Sequence, residues 1–356
     1  MINLKFKRLI SLICIFIILS SLFIGCGKEE SGVNGDLYLY NWGDYLDPDL
    51  INKFEAETGI NVHEDVYDTN EIMYQKLKSG NVSYDLVIPS DYMIEKMISE
   101  NMLEKINFNN IPNYTYIGER FKHLPFDPNG EYYVPYMWGT VGILYNKKMV
   151  SDPVDSWNVL WNKKYKDNVI MVNSVRDSMM VALKKLGYSL NTNKQSEINA
   201  AKNELIKQKE DGLVRAYMVD EVKDAMVANE AALAVVWSGD AVTMMDRNPD
   251  LDFALPKEGS NEWFDGLVIP KGSKNKENAE KFINFLLNPE NAAQNVEYIG
   301  YSTPNTGALE LLDDNIKNNK VAYPDLNSLK NFEVFTDLDS STLKKYNKAW
   351  LELMVH

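Results

Sequence analysis

Five short stretches of the sequence place an aromatic residue beside a carboxylate or a hydroxyl group, at or just beyond the end of a predicted strand. In open α/β sheets, ligands bind in the crevice beyond the carboxyl ends of the strands. The spacing therefore predicts that the five stretches converge on one binding cleft. They are Asn41-Trp42-Gly43-Asp44-Tyr45, Pro89-Ser90-Asp91-Tyr92, Trp237-Ser238-Gly239-Asp240, Trp263-Phe264-Asp265 and Gly300-Tyr301-Ser302-Thr303-Pro304.

The residue types in these stretches suit an elongated aliphatic cation. Trp and Tyr faces attract cations and pack against methylene groups, at about 0.5 to 2 kcal/mol per cation–π contact. A carboxylate favours an ammonium group strongly only where the cleft excludes water, because an exposed ion pair contributes about 0 to 1 kcal/mol. The charged ends of such a ligand would need carboxylates to offset desolvation, and its middle would need aromatic walls.

Each of these residues also has a simpler interpretation. A single Trp or Tyr is more often part of a hydrophobic core than of a ligand wall. An Asp that follows a strand commonly caps the next helix, and Asp240 opens a predicted helix. The recurrence of the pattern at five equivalent positions is what favours a site.

The composition narrows the possible functions. The chain has 356 residues, with 37 Lys and Arg against 51 Asp and Glu, and a formal net charge of −14. This balance argues against a nucleic-acid partner, because proteins that bind a phosphate backbone present basic faces. The two cysteines, Cys14 and Cys26, both precede the predicted domains, so neither a disulfide framework nor a Cys-ligated metal is predicted. We predict no metal site and no cofactor.

The first 26 residues have the pattern of an export signal. Three basic residues precede an apolar run over 9–24, and Gly25-Cys26 resembles a bacterial lipobox. We therefore predict a signal peptide over 1–25, a lipidated Cys26 and a polar tether over 26–35. All 51 acidic residues follow the signal peptide.

The remainder of the chain alternates short apolar runs with segments of helical period, which is typical of an α/β fold. Its length favours two domains. The first predicted helix, 48–58, has Asp47 as its N-cap and Gly59 as its end. The other predicted helices are 70–79, 92–100, 176–186, 196–209, 221–229, 240–247, 277–287 and 289–298. The predicted strands are 37–40, 60–67, 85–88, 169–172, 231–237 and 267–270.

Several stretches resemble the spermidine/putrescine-binding lipoproteins of polyamine ABC importers. The resemblance runs from about Asp36 to Lys348 and includes the five site stretches in order. Among the stretches that carry it are LYLYNWGDYLDPDLINKFEAETGINV, YDLVIPSDYMIEKM, PYMWGTVGI, VVWSGDA, LPKEGSNEWFDGLVIPKGSKNKENAEKFINFLLNPENA and IGYSTPN.

The resemblance implies a two-lobed periplasmic-binding-protein fold of type II, in which each lobe is a mixed sheet flanked by helices and the ligand lies between the lobes. Lobe one would comprise 36–138 and 265–309, and lobe two 139–264 and 310–356. The chain crossings near Trp138-Gly139 and Phe264-Asp265 would be the hinges.

The resemblance also implies roles for individual residues. Asp265 would bind a terminal ammonium group, Trp237 and Trp263 would enclose the aliphatic chain, and Tyr301 would complete the wall. Lobe one would contribute Trp42, Tyr45, Ser90 and Tyr92, and lobe two would contribute Asp177.

Four positions bear on which polyamine is preferred. Asp44 and Asp240 match carboxylates of the putrescine-preferring branch of the family. Ser174 and Phe335 stand where the spermidine-preferring branch has Asp and Gln. We therefore expect putrescine binding at least as strongly as spermidine binding.

The predicted protein is a monomeric receptor and not an enzyme. It would deliver polyamines to ABC permease subunits with their ATPase. It would be exported and attached by lipid alone to the outer face of the cytoplasmic membrane, or lie in the periplasm.

Two alternatives stay open on the sequence alone. One is a receptor for another solute, such as a sugar or another cation. Iron would favour adjacent tyrosines such as Tyr132-Tyr133, but those point to opposite faces of an extended segment. The other is a glycoside hydrolase that uses two of the many carboxylates, although no GxSxG, HExxH or phosphate-binding glycine motif occurs.

Overall fold

A computed structural model describes residues 35–356 of the chain. The predicted signal peptide and Cys26 lie outside the described residues. Within residues 35–356, no helix is both long and apolar enough to cross a membrane.

The first sheet consists of parallel strands in the order β2-β1-β3, where β1 is Asp36–Trp42, β2 is Asn61–Tyr67 and β3 is Leu86–Val87. Parallel neighbours require crossover connections, and helices provide them here. Helix α1 (Pro48–Thr58) connects β1 to β2, helix α2 (Asn70–Lys78) connects β2 to β3, and helix α3 (Asp91–Ser99) follows β3.

The ends of α1 show how directly the sequence determines this part of the fold. The Asp47 side chain accepts a hydrogen bond from the backbone N–H of Asp49, and Pro48 occupies the first helical position. The helix ends at Gly59, whose φ of 70° lies in the left-handed region that glycine adopts without strain. Both predicted bounds of this helix are confirmed.

The second sheet is larger and mixed. Its strands are β4 (Val134–Asn146), β5 (Val169–Val172), β6 (Val214–Met218), β7 (Leu233–Trp237) and β8 (Leu251–Ala254), in the order β6-β5-β7-β4-β8. Strands β5, β6 and β7 are parallel, and β4 is antiparallel to both β7 and β8.

One long strand connects the two sheets. The second half of β4 pairs with β7 and β8, whereas residues 134–140 pair with β9 (Glu262–Leu267) in an antiparallel ladder. Just beyond β9, Val268 forms two hydrogen bonds with Val87 of the first sheet, at 3.0 and 2.9 Å between nitrogen and oxygen. The three strands of the first sheet are parallel, and this isolated bridge adds an antiparallel contact at its edge. The predicted crossings lie in this ladder, where Trp138 pairs with Phe264. The lobe boundaries at these points stay a prediction.

Helices cover the sheets. In chain order, the remaining helices are α4 (Val175–Lys185), α5 (Gln195–Glu210), α6 (Glu221–Val227), α7 (Ser238–Arg247), α8 (Lys276–Leu286), α9 (Pro289–Ile299), α10 (Thr306–Leu311), α11 (Asp314–Lys317) and α12 (Ser340–Val355). One large buried cluster contains side chains from both sheets. A second cluster packs Leu144, Ile170 and Val236 against residues of α6 and α7 on the other face of the second sheet. Burial on both faces explains the nearly continuous apolar runs of its strands.

The structure corrects one predicted strand and adds others. The strand expected over 267–270 lies earlier, as β9, because its partner is residues 134–140 of β4 and only Val268 bridges to β3. Strands β4, β6 and β8 and helices α10, α11 and α12 were not predicted. Twelve of the thirteen residues of β4 are buried, so this strand shows no alternation between polar and apolar residues.

Candidate functional site

A cleft of about 650 Å³ lies where the carboxyl ends of strands from both sheets meet. Its walls include residues at or just beyond the ends of β1, β3 and β5, Trp237 of β7, Asp240 of α7, and residues of β9 and α12. Every side chain that the sequence predicted for the binding site lines this cleft: Trp42, Asp44, Tyr45, Ser90, Tyr92, Asp177, Trp237, Asp240, Trp263, Asp265 and Tyr301. The predicted convergence is confirmed, and the binding roles stay predictions.

Asp265 lies in the middle of β9 and is almost completely buried. The Tyr45 hydroxyl donates a hydrogen bond of 2.8 Å to Asp265 Oδ2. Burial raises the pKa of Asp265 to about 6, although hydrogen bonds from Ser90 and Tyr45 act in the opposite direction. Among residues 35–356, Asp265 Oδ1 has no hydrogen-bond partner. The carboxylate is thus held in place with one oxygen left to accept.

Aromatic rings surround this carboxylate. The Tyr301 ring meets the rings of Trp263 and Tyr45 edge to face, with centroids 5.6 and 5.3 Å apart. Gly239 is required for this arrangement, because a Cβ atom there would lie 2.3 Å from Tyr301 Cδ1. On the other side, the Trp42 indole donates a hydrogen bond of 2.7 Å to the Ile88 carbonyl. The walls are therefore fixed by the fold itself.

Asp177 lies in the first turn of α4, directly after β5. Ser174 caps this helix: the Ser174 hydroxyl donates to Asp177 Oδ2 at 2.7 Å and accepts from the Asp177 N–H at 3.3 Å. Burial raises the pKa of Asp177 to about 6. In the described part of the chain, its Oδ1 has no hydrogen-bond partner. Ser174 thus orients the Asp177 carboxylate instead of adding a second acid.

Asp240 is not a helix cap, so the simpler interpretation of this residue is wrong. Helix α7 begins two residues earlier at Ser238, and no side chain caps it. Burial raises the pKa of Asp240 to about 6, while the nearby Lys223 charge lowers it. Asp44 differs, since its side chain is 83% exposed at the mouth of the cleft.

Tyr92 and Ser90 are linked by one amide side chain. Asn70 Nδ2 donates to the Ser90 hydroxyl at 3.1 Å and to the Tyr92 hydroxyl at 3.2 Å. The Tyr92 hydroxyl in turn donates to Glu71 Oε1 at 3.0 Å. Asn70 and Glu71 begin α2, so this helix positions both predicted residues.

Three basic residues that line the cleft, Lys96, Arg176 and Lys223, were missed by the sequence analysis. The Arg176 guanidinium is buried and lies 4.3 Å from the Phe335 ring centroid and 5.3 Å from that of Tyr92. It donates to Asn191 Oδ1 at 2.9 Å and to the Thr336 carbonyl at 3.3 Å. The other cations are Lys96 on α3 and Lys223 on α6. Arg176 precedes Asp177 and Lys223 closely follows Asp220 in the sequence, but the sequence analysis looked for groups that bind a cation and did not consider basic residues.

Tyr132 and Tyr133 do not line the cleft. Tyr133 is buried against Phe126, with ring centroids 5.0 Å apart, and Tyr132 is only partly buried. No cluster of three or more potential metal ligands occurs among residues 35–356.

The two linked sheets with a deep ligand-sized cleft between them define a two-lobed binding protein of the type II periplasmic class. The sequence model of bacterial extracellular solute-binding proteins matches residues 49–324, and the chain belongs to this family. Members of this family bind solutes outside the cytoplasm, so the chain is a binding protein and not an enzyme.

Named relatives are similar over nearly the whole chain. The spermidine/putrescine-binding periplasmic protein of Escherichia coli K12 is 40% identical over 325 residues, which cover 90% of this chain and 92% of that protein. The putrescine-binding periplasmic protein SpuD of Pseudomonas aeruginosa is 31% identical, over 92% of this chain and 94% of that protein. The crystal structure of the spermidine/putrescine ABC transporter substrate-binding protein PotD from Streptococcus pneumoniae has a TM-score of 0.79 and 41% identity, covering 90% of this chain and 99% of that one.

Proposed function

We propose that this chain binds a polyamine, putrescine or spermidine, in the cleft and delivers it to an ABC permease. The observation that carries the proposal is the pair of buried carboxyl groups, Asp177 and Asp265, each with one oxygen that has no partner within residues 35–356. A buried carboxylate is unfavourable unless a cation or donors satisfy it. Two ammonium groups joined by an aliphatic chain would satisfy both carboxylates.

The walls suit the rest of such a ligand. Methylene groups can pack between Trp237 and Trp263, while Tyr301 and Tyr45 close the space above Asp265. A sugar would instead require polar groups directed at its hydroxyls, whereas the buried carboxyl groups of Asp177 and Asp265 suit ammonium groups. The names of the E. coli and P. aeruginosa relatives support the same ligand class.

We propose that the cleft binds putrescine at least as strongly as it binds spermidine. Phe335 packs on Arg176 at the Asp177 end of the cleft, where a further carboxylate or amide would extend the site for a longer ligand. The Arg176 charge acts on Asp177 and lowers its pKa against the effect of burial. A fixed positive charge at this end disfavours a second ligand cation beyond the one that Asp177 binds.

The test is a titration of the fragment that lacks residues 1–26. Putrescine, cadaverine, spermidine and spermine are each added in thermal unfolding and calorimetry experiments. We expect at least putrescine to raise the unfolding temperature, because a ligand at 100 times its Kd stabilises the native state by about 2.7 kcal/mol. The matched control ligand is 1,4-butanediol, which has the same chain length and no charge.

The results of these titrations distinguish a polyamine receptor from a receptor for another solute and from a glycoside hydrolase. A shift with putrescine but none with butanediol, sugars or Fe(III) supports the proposal. Stabilisation by a sugar or by Fe(III) alone would contradict it, as would release of sugar from a glycan. A spermidine response with no heat from putrescine would contradict the proposed preference.

The remaining parts of the proposal concern transport. Binding would close lobe one (36–138 and 265–309) on lobe two (139–264 and 310–356) around the β4–β9 ladder. A lipid on Cys26 would hold the monomer at the outer face of the cytoplasmic membrane, or the protein would be free in a periplasm. Mass spectrometry of the full-length protein made in bacteria tests the lipid.

We expect affinity for putrescine to fall as the pH is lowered through about 6. Burial raises the pKa of Asp177, Asp240 and Asp265 to about 6, whereas alkyl ammonium groups titrate near pH 10. Acidification therefore neutralises the carboxylates and leaves the ligand charged. The charged groups that face them are Arg176 and Glu71 near Asp177, and Lys223, Asp220 and Asp44 near Asp240. Calorimetry between pH 5 and 8 measures the effect, and a Kd that is constant or improves at low pH would contradict it.

For the ligand-free protein, the same carboxyl groups make the free energy of unfolding larger at low pH, which is opposite to their effect on putrescine affinity. Their folded-state pKa of about 6 exceeds the ordinary value of 3.8, so the folded state binds more protons between these pH values. Their contribution to the free energy of unfolding is present below pH 3.8 and is lost as the pH rises through 6. Acidification should therefore reduce the thermal stabilisation by putrescine without first destabilising this site.

A further inference from the structure

Asn70 is a buried amide at the start of α2, beside Ser90 and Tyr92 of the cleft. Its Oδ1 atom accepts from the Ser90 backbone N–H at 3.2 Å, and its Nδ2 atom donates to the Ser90 and Tyr92 hydroxyls at 3.1 and 3.2 Å. Because a backbone N–H can only donate, the atom that it meets must be the amide oxygen. The amide nitrogen of Asn70 therefore faces both hydroxyls.

This orientation of the Asn70 amide makes both hydroxyl groups donors to other residues. An amide nitrogen donates and does not accept, so neither hydroxyl proton can point to Asn70 Nδ2. The Tyr92 hydroxyl donates to Glu71 Oε1 at 3.0 Å. The Ser90 hydroxyl is likewise left to donate to a different acceptor.

The acceptor that Ser90 faces is Asp265. The two residues pair as an isolated antiparallel bridge, and side chains directly opposite each other in such a pair have Cβ atoms about 4.5–5.5 Å apart on one face. Burial raises the pKa of Asp265, and a hydrogen bond from the Ser90 side chain acts against this rise. A chain of donors thus leads from Asn70 through Ser90 to Asp265.

Ser90 does not perform the usual role of a serine at its position. It is the N-cap of α3, where a serine hydroxyl normally accepts from a backbone N–H of the first helical turn. The Ser90 side chain makes no such bond, whereas its oxygen accepts from Asn70 Nδ2. The hydroxyl is thus oriented by Asn70 and not by the helix that Ser90 precedes.

We propose that Asn70 is a positioning residue for ligand binding, because its bond to Ser90 directs the Ser90 hydroxyl proton to Asp265. This inference rests on the proposed function. A donor on a carboxylate favours the ionised form, and the ionised form is the one that binds an ammonium group. Asn70 would therefore support the charge of Asp265 without contacting the ligand ammonium itself.

The experiment compares Kd values for putrescine in the wild type and in Asn70→Asp. The variant keeps an acceptor for the Ser90 backbone N–H, but a carboxylate can only accept from the Ser90 hydroxyl and so draws its proton away from Asp265. We expect binding at pH 7 to weaken about tenfold or more, as for loss of one hydrogen bond to a charged group. Asn81→Asp is the matched control, because Asn81 is exposed outside the cleft, and it should alter Kd by less than threefold.

A pH profile gives a second measurement. In Asn70→Asp, the pH below which affinity falls should move upward from about 6, because Asp265 loses a donor to its charged form. Burial raises the pKa of each tyrosine around Asp265, so these groups stay neutral between pH 5 and 8, and Asp91 is common to all variants. The groups that face Asp265 are Asp91 and Tyr45, Tyr67, Tyr133, Tyr136 and Tyr301.

A double variant separates the direction of the hydroxyl from the charge of the new carboxylate. In the Ser90→Ala background there is no proton to redirect, so Asn70→Asp should change Kd by less than threefold. A carboxylate that acted only through its charge, or by disturbing α2, would have the same effect in both backgrounds.

Asn70→Ala adds no charge and decides the test if Asn70→Asp does not fold, as thermal unfolding will show. It frees the Ser90 hydroxyl to turn away from Asp265. We therefore expect it to weaken putrescine binding at least threefold in the wild type and less than twofold in the Ser90→Ala background.

The outcomes distinguish this inference from the function on which it rests. A wild-type protein that binds no polyamine contradicts the proposed function. A wild type that binds putrescine, with folded Asn70 variants that keep its Kd and its pH profile, contradicts only the role of Asn70. Equal losses in the wild-type and Ser90→Ala backgrounds also contradict that role, because Asn70 would then act other than through Ser90.

Discussion

Asp265→Asn is expected to weaken putrescine binding by about 100-fold or more. The variant keeps the shape of the side chain and an oxygen to accept from Tyr45, but it has no charge to offer a buried ammonium. Removing one partner of a buried ion pair costs about 3–5 kcal/mol, and each 1.36 kcal/mol corresponds to about a factor of ten. Isothermal titration calorimetry measures the loss directly.

The free Asp265→Asn protein should be as stable as the wild type or more stable. Burial disfavours the charged form of this carboxyl, so its removal relieves an unfavourable term when no ligand is bound. Asp68→Asn is the matched control: Asp68 also lines the cleft and makes the same change in charge, but it is exposed. It should alter Kd by less than about threefold. Near-normal affinity in Asp265→Asn would show that the ammonium site is elsewhere.

Trp263→Ala is expected to weaken putrescine binding by about 30-fold or more. The substitution removes the ring that meets Tyr301 edge to face in the cleft wall and lets water reach the ligand. A desolvated cation–π contact contributes about 2 kcal/mol, and the lost packing against the methylene groups adds to this. Calorimetry with putrescine measures the change.

Stability must be measured alongside binding for this variant. Trp→Ala at a buried position typically costs about 3–5 kcal/mol of stability, and Trp263 is almost completely buried. Trp263→Phe keeps an aromatic wall and should retain most of the affinity. Trp161→Ala controls for loss of a tryptophan far from the cleft, since that indole donates to the Glu204 carbonyl. Folded Trp263→Ala protein with wild-type affinity would remove this residue from the site.

The fold could be predicted where local signals determine it. Helix α1 has a cap, a proline and a terminal glycine at the expected positions, and all three act within the helix itself. Strand β4 offers no such signal, because it is buried along almost its whole length and pairs with β7, β8 and β9, all more than 80 residues later in the chain. The bounds of β9 depend on the same long-range pairing.

The same distinction between local and long-range determinants applies to the binding site. The acids and aromatics could be predicted because each follows a strand or begins a helix, where the topology places ligands. The environment of Arg176 could not be predicted, since it is made by Phe335 and Thr336, about 160 residues later. The position of Lys223 depends likewise on Asp44, which lies on the other sheet.

The ladder of β4 and β9 also has a mechanical consequence. In the closure that we propose, this two-stranded ribbon twists as one lobe rotates relative to the other. Gly139 of the ribbon lies opposite Trp263, and a Cβ atom there would be only 2.6 Å from the indole. The ring therefore rests directly on the ribbon's backbone. A ligand that contacts Trp263 therefore acts directly on the backbone of the ribbon that would twist.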